Sequence, residues 1–143
     1  MQSTGISIAS MLVLISAGIV GLLGLAHLIL TFNGPKLQPR DPKVRPLMES
    51  VHPGITRQTT MWRAWLGFNS SHSLGALLFA AVYGYLAVVQ STLMFDSIYL
   101  QALGVVVLTA YLVLAKLYWF KTPLIGIGLS LLLFLGAIAS QVS

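Results

Sequence analysis

Apolar residues along this chain occur in long blocks, without the period-2 alternation of a membrane-barrel strand. Four blocks stand out, from about Ile6 to Phe32, Leu66 to Val89, Ile98 to Tyr118 and Pro123 to Ser140. A helix that crosses ~30 Å of hydrocarbon needs roughly 20 residues at a rise of 1.5 Å each, and each block is that long or slightly longer. The pattern therefore predicts an all-α membrane protein, a four-helix transmembrane up-down bundle forming one domain over residues 1–143. The first block reads as a permanent helix and not a cleavable signal, because Met1 to Gly5 carry no Lys or Arg and the apolar run is too long.

The polar residues fall mainly between the first two blocks, over about Asn33 to Thr60. Pro35, Pro39, Pro42, Pro46 and Pro53 exclude a long helix there, since each lacks an amide donor and restricts the residue before it. A short interfacial turn around Leu47 to Val51 is compatible with that spacing. Thr56, Thr59 or Thr60 can cap the second long helix. Trp62, Trp65, Tyr118 and Trp119 then sit at headgroup depth, where amphipathic rings are favoured.

Charge supplies the orientation. Lys36, Arg40, Lys43, Arg45, Arg57 and Arg63 lie in or beside the first connection, and Lys116 and Lys121 flank the third. The opposite side has the N-terminal residues, the Gln90 to Ser97 turn with Asp96, and the Gln141 to Ser143 tail, with no Lys or Arg. The positive-inside rule then places both termini outside the cytoplasm and the Pro-rich basic loop within it. A net charge of +5 with only 8% charged residues and 57% apolar ones does not suit a soluble nucleic-acid binder; the basic loop fits the anionic headgroups of a bilayer instead. The absence of cysteine excludes thiolate metal sites and thiol catalysis.

Small residues mark expected helix contacts: Ala17, Gly18, Gly21 and Gly24 in the first helix, Ser71, Gly75, Ala80, Ala81 and Gly84 in the second, and Gly126, Gly128, Gly136 and Ala137 in the last. Packing within the bundle is the first reading of them, and contact with a second copy the other.

Polar groups inside a membrane span are costly and mark either a paired contact or a site. His27 lies about 8 Å inside the boundary near Asn33, Asn69 about 9 Å inside the boundary at Arg63, and His72 roughly 13 Å inside on the same scale. Trp62, Trp65, Asn69 and His72 share one helical face. The bland reading is a hydrogen bond between His27 and Asn69 or Ser73. The functional one is a polar pocket for a lipophilic ligand such as a quinone or lipid. Its candidate residues are His27, Asn69 and His72 as polar contacts, Trp62 and Trp65 as walls, and Arg63 toward an anionic head group. No cofactor is expected. Haem held by His27 and His72 is the weaker alternative, because their depths differ, and two histidines without a nearby carboxylate are too few for a divalent metal. Glu49 and His52 read as a solvated loop pair that could approach the pocket mouth. No phosphate loop, HExxH or GxSxG motif occurs.

The run from Met61 to Gly75, MWRAWLGFNSSHSLG, with Gly24-Leu25-Ala26-His27 and Pro39-Arg40-Asp41-Pro42 upstream, resembles a family of small four-helix bacterial membrane proteins. The resemblance implies four helices and the bacterial inner membrane, draws attention to His27, Asn69 and His72, and supplies no reaction. DoxX-like and sterol-isomerase-related proteins share the architecture, but none of their catalytic residues is found here, so that likeness is of fold alone. The expected role is a non-catalytic accessory or stabilising subunit of a larger membrane complex, with other membrane subunits or a second copy as partners. The alternative is a ligand-binding or enzymatic bundle.

Overall fold

The computed structural model describes residues 6–141, so Met1 to Gly5, Val142 and Ser143, including both predicted termini, lie outside the described residues. The elements are α1 Ile8–Phe32, α2 Val44–Ser50, α3 Met61–Val89, α4 Ser91–Asp96, α5 Ile98–Tyr118 and α6 Lys121–Ala139, with no strand among the described residues. Four of them, α1, α3, α5 and α6, are long and apolar enough to cross a membrane.

Local chemistry explains the helix ends. The Ser10 amide donates to Ser7 Oγ at 3.1 Å, which starts α1 two residues later than its apolar block. At its other end Asn33 N bonds Ile29 O at 2.9 Å, and Gly34 takes φ +85, a left-handed conformation open to glycine, just before Pro35. Helix α3 begins at Met61, five residues before the expected Leu66. Three of its first amides find acceptors: Met61 N on Val51 O at 3.0 Å, Arg63 N on Thr60 Oγ1 at 3.3 Å, and Ala64 N on Thr60 O at 2.9 Å. Trp62, Arg63 and Trp65 are thereby helical. Helix α6 begins at Lys121 and not Pro123, because a first-turn proline sacrifices no intrahelical bond. The expected turn from Gln90 to Ser97 contains the short helix α4, and Ser97 Oγ accepts from Leu100 N at 3.3 Å to start α5. Gln101 joins the same corner, donating from Nε2 to Phe95 O at 2.6 Å.

The chain divides into two compact units, one from the described parts of Met1–Leu23 and Leu77–Ser143, the other Gly24–Ala76. In the first, Phe79, Tyr83 and Phe134 form an aromatic cluster, with Phe79–Tyr83 centroids 4.6 Å apart and Tyr83 edge-on to Phe134 at 5.2 Å. Phe134 fits because residue 104 is glycine; a Cβ there would fall on its ring. Beside them Ser16 and Ser130, both fully buried, bond each other's carbonyls, and Tyr83 Oη donates to Leu100 O at 2.7 Å.

The small residues divide into those that accept a neighbour and those that do not. A Cβ on Gly21 would stand 2.9 Å from Ala80 Cβ, and one on Gly126 would stand 2.8 Å from Leu23 Cδ1. Gly18, by contrast, has nothing within 4 Å of that position, and Ser71 and Ala81 are exposed. None of these three marks a close helix contact within the chain itself. Gly104 is a close-contact glycine that the expected set lacks.

Candidate functional site

Within the unit Gly24–Ala76, polar side chains on α1 and α3 first satisfy their own helices. Thr31 Oγ1 donates to His27 O at 2.7 Å, Ser70 Oγ to Leu66 O at 2.8 Å, and Ser73 Oγ to Asn69 O at 3.0 Å. Such back-bonding lets a hydroxyl enter an apolar medium without a missing partner. Ser73 and Thr31 are buried accordingly.

Asn69 links the two helices. Its Nδ2 donates to Trp65 O at 2.8 Å, and its Oδ1 lies 2.8 Å from His27 Nε2. An amide oxygen only accepts, so His27 carries a proton on Nε2. In the neutral imidazole the lone pair is then on Nδ1. The carbonyl of Trp65 thus determines, through one amide, the tautomer of a histidine on another helix.

His72 lies closer to His27 than the depth estimate implied. The two ring centroids are 5.4 Å apart at an interplanar angle of 86°. Asn69 and His72 are three residues apart and project from one face, so both side chains reach the same point on α1. Nearly a full turn of backbone depth does not keep the two side chains apart. The depth difference is therefore no longer an argument against a shared ligand, and the bond from His27 Nε2 to Asn69 leaves His27 Nδ1 as the accepting nitrogen. Among the described residues there is no group of three or more metal-ligating side chains.

The head of α3 carries a second arrangement. Trp62 and Trp65 stack with centroids 5.0 Å apart and planes 11° from parallel. The Arg45 guanidinium lies 4.7 Å over the Trp62 ring, a cation–π geometry. Arg45 is itself held by Glu49 Oε1 at 2.9 Å from Nε and by Gln38 Oε1 at 2.9 Å from Nη1. This arginine lies outside the expected site residues, and no sequence signal distinguishes it from the five other bases nearby. Arg63, which is in that set, is exposed and has no ion pair among the described residues. Glu49 and His52 do not pair with each other: Glu49 takes Arg45, while His52 Nδ1 donates to Thr59 O at 2.7 Å.

His27, Asn69 and His72 are thus brought together, and Trp62 and Trp65 form a stacked pair whose outer partner is Arg45. Elsewhere, an open apolar groove runs along α5 past Val106, Thr109, Ala110 and Val113. Those side chains offer lipid-like contact and no catalytic group. The chain matches no family model, and searches of curated proteins and of solved structures likewise returned no match.

Proposed function

We propose that this chain is an accessory or stabilising subunit of a bacterial inner-membrane complex, without catalysis of its own. It crosses four times in an up-down bundle, with both termini outside the cytoplasm and the Pro-rich basic loop in the cytoplasm against anionic headgroups. The observation that carries this reading is the way Asn69 is used. Its amide is bonded at both ends, to Trp65 O and to His27 Nε2, each at 2.8 Å, and so serves the protein's own helices. The one-sided distribution of its eight basic residues supports the orientation. Partners of the same kind, other membrane subunits or a second copy, would meet it through small-residue and apolar faces.

The edge contact of His27 with His72 favours one second reading, a site for a lipophilic ligand such as a quinone or lipid. There His27 and His72 would offer hydrogen bonds, Asn69 would set the tautomer, and Trp62 and Trp65 would give apolar surface. Extraction in mild detergent separates the two. A reproducible stoichiometric protein partner supports the accessory role. A monodisperse chain that carries a quinone or lipid, and loses it in His27→Phe, supports the ligand site and refutes the accessory role.

A further inference from the structure

The loop between α2 and α3 is closed at its base by two ties. Met61 N bonds Val51 O at 3.0 Å, and His52 Nδ1 bonds Thr59 O at 2.7 Å. Inside this ring Thr56 N bonds Pro53 O at 3.2 Å, which turns the chain sharply. Residues 53–58 therefore form a short pinned finger. Its tip is Ile55, 93% exposed, with the exposed Arg57 two residues further on. An isoleucine at the end of a slack loop could fold back onto the protein; this one is held outward by the closed base.

Other residues repeat the pattern. Leu47 on α2 is 60% exposed and Val51 40% exposed. Isolated surface apolar residues are ordinary, but these three stand in one segment among Lys36, Arg40, Lys43 and Arg57, all exposed. Of the bases before α3, only Arg45 has an ion pair among the described residues, with Glu49. The Arg45–Trp62 contact holds α2 against the head of α3. The segment is thus a fixed surface of protruding apolar groups in a basic surround.

We propose that Ile55 and Leu47 insert into the headgroup–acyl boundary of an anionic phospholipid leaflet, while Lys36, Arg40, Lys43 and Arg57 contact lipid phosphates. The inference rests on the reading of α1 and α3 as membrane spans, which tethers the segment within reach of one bilayer surface. Apolar burial and cationic attraction together are what bind an interfacial segment. Each cation near such a surface contributes a preference for anionic over neutral lipid of roughly fivefold.

The chain has no cysteine, so Ile55→Cys and Leu47→Cys each provide a single site for a nitroxide label without further change. Both positions are exposed, so neither substitution opens the core. The full chain is reconstituted in vesicles of phosphatidylcholine alone or mixed with phosphatidylglycerol. With the anionic lipid, both labels should relax faster with dissolved oxygen than with a water-soluble nickel chelate. High salt, or the combined Lys36→Ala, Arg40→Ala, Lys43→Ala and Arg57→Ala variant, should shift both toward water. Salt needs no variant and so removes misfolding as an explanation. Labels that report water in anionic vesicles would overturn the proposal, as would equal burial in both lipids or burial that requires an added membrane protein fraction. A chain inserted the opposite way round would still bury the labels, so failure of the orientation and failure of insertion read out differently.

Discussion

Ser16 and Ser130, 114 positions apart in the chain, hold α1 and α6 together by a reciprocal contact: each hydroxyl lies within bonding distance of the other's carbonyl, at 2.9 and 3.0 Å, and the two Oγ atoms are 2.7 Å apart. Each hydroxyl has one proton, so at most two of these three contacts carry a hydrogen bond at any instant. Because carbonyls accept in both directions, Ser130→Ala removes one donor and leaves Ser16 its acceptor. The expected loss is about 0.6 kcal/mol. Ser130→Leu forces a larger group into a fully buried site and is expected to cost about 1–3 kcal/mol. Thermal unfolding in detergent should rank Ala well above Leu; equal losses would refute the contact.

Two glycines form a matched test of packing. Gly104→Ala places a methyl on the Phe134 ring, and overpacking of this kind costs about 1–3 kcal/mol. Gly18→Ala meets open space and gains helix propensity, so its effect should lie between zero and a stabilisation of about 1 kcal/mol. Combining Gly104→Ala with Phe134→Leu should recover part of the loss. Melting temperatures that fall equally for the two glycine variants would contradict this packing.

The His27–Asn69 pair invites a double-mutant cycle. In the structural reading His27→Phe and Asn69→Leu each cost little, with a coupling of about 0.6 kcal/mol as is usual for a membrane hydrogen bond. In the ligand reading His27→Phe leaves stability nearly unchanged and abolishes binding. Because His27 and His72 meet edge to face with centroids 5.4 Å apart, which leaves no room for a haem plane between them, no Soret band is expected in the visible spectrum of the purified protein. A band lost in both His27→Ala and His72→Ala would reverse that expectation.

Orientation has its own measurement. Reporter fusions after Ser143 should be active outside the cytoplasm and silent inside it. Lysines introduced into the Gln90 to Ser97 connection should weaken this bias, because orientation follows the imbalance of Lys and Arg near helix ends. Cytoplasmic activity alone from the Ser143 fusion would overturn the topology.

Removing the cation over Trp62 tests the loop. Arg45→Ala deletes the cation–π contact and the Glu49 ion pair together. For an exposed arginine these are worth about 1 kcal/mol in sum. The loss should appear as faster hydrogen exchange in α2 and at the start of α3, with little change in global melting. Uniform exchange across all helices would contradict it.

By itself, the sequence determined the helical class and the four segments able to span a membrane. That property is local: a span satisfies its backbone within itself, so length and hydropathy of one segment suffice. The proximity of His27 to Asn69 could also be estimated, since rise per residue sets depth. What depth could not supply was rotation and reach. His72 meets His27 despite its greater depth, Gly18 faces open space, and Gly104 instead receives Phe134. The link from Ser16 to Ser130 and the choice of Arg45 over its neighbours to cover Trp62 belong to the same class. These depend on how helices turn about their axes and where the loop's closing bonds direct the chain. Only the tertiary structure decides them, because each pairing joins residues whose separation along the chain says nothing of which faces meet.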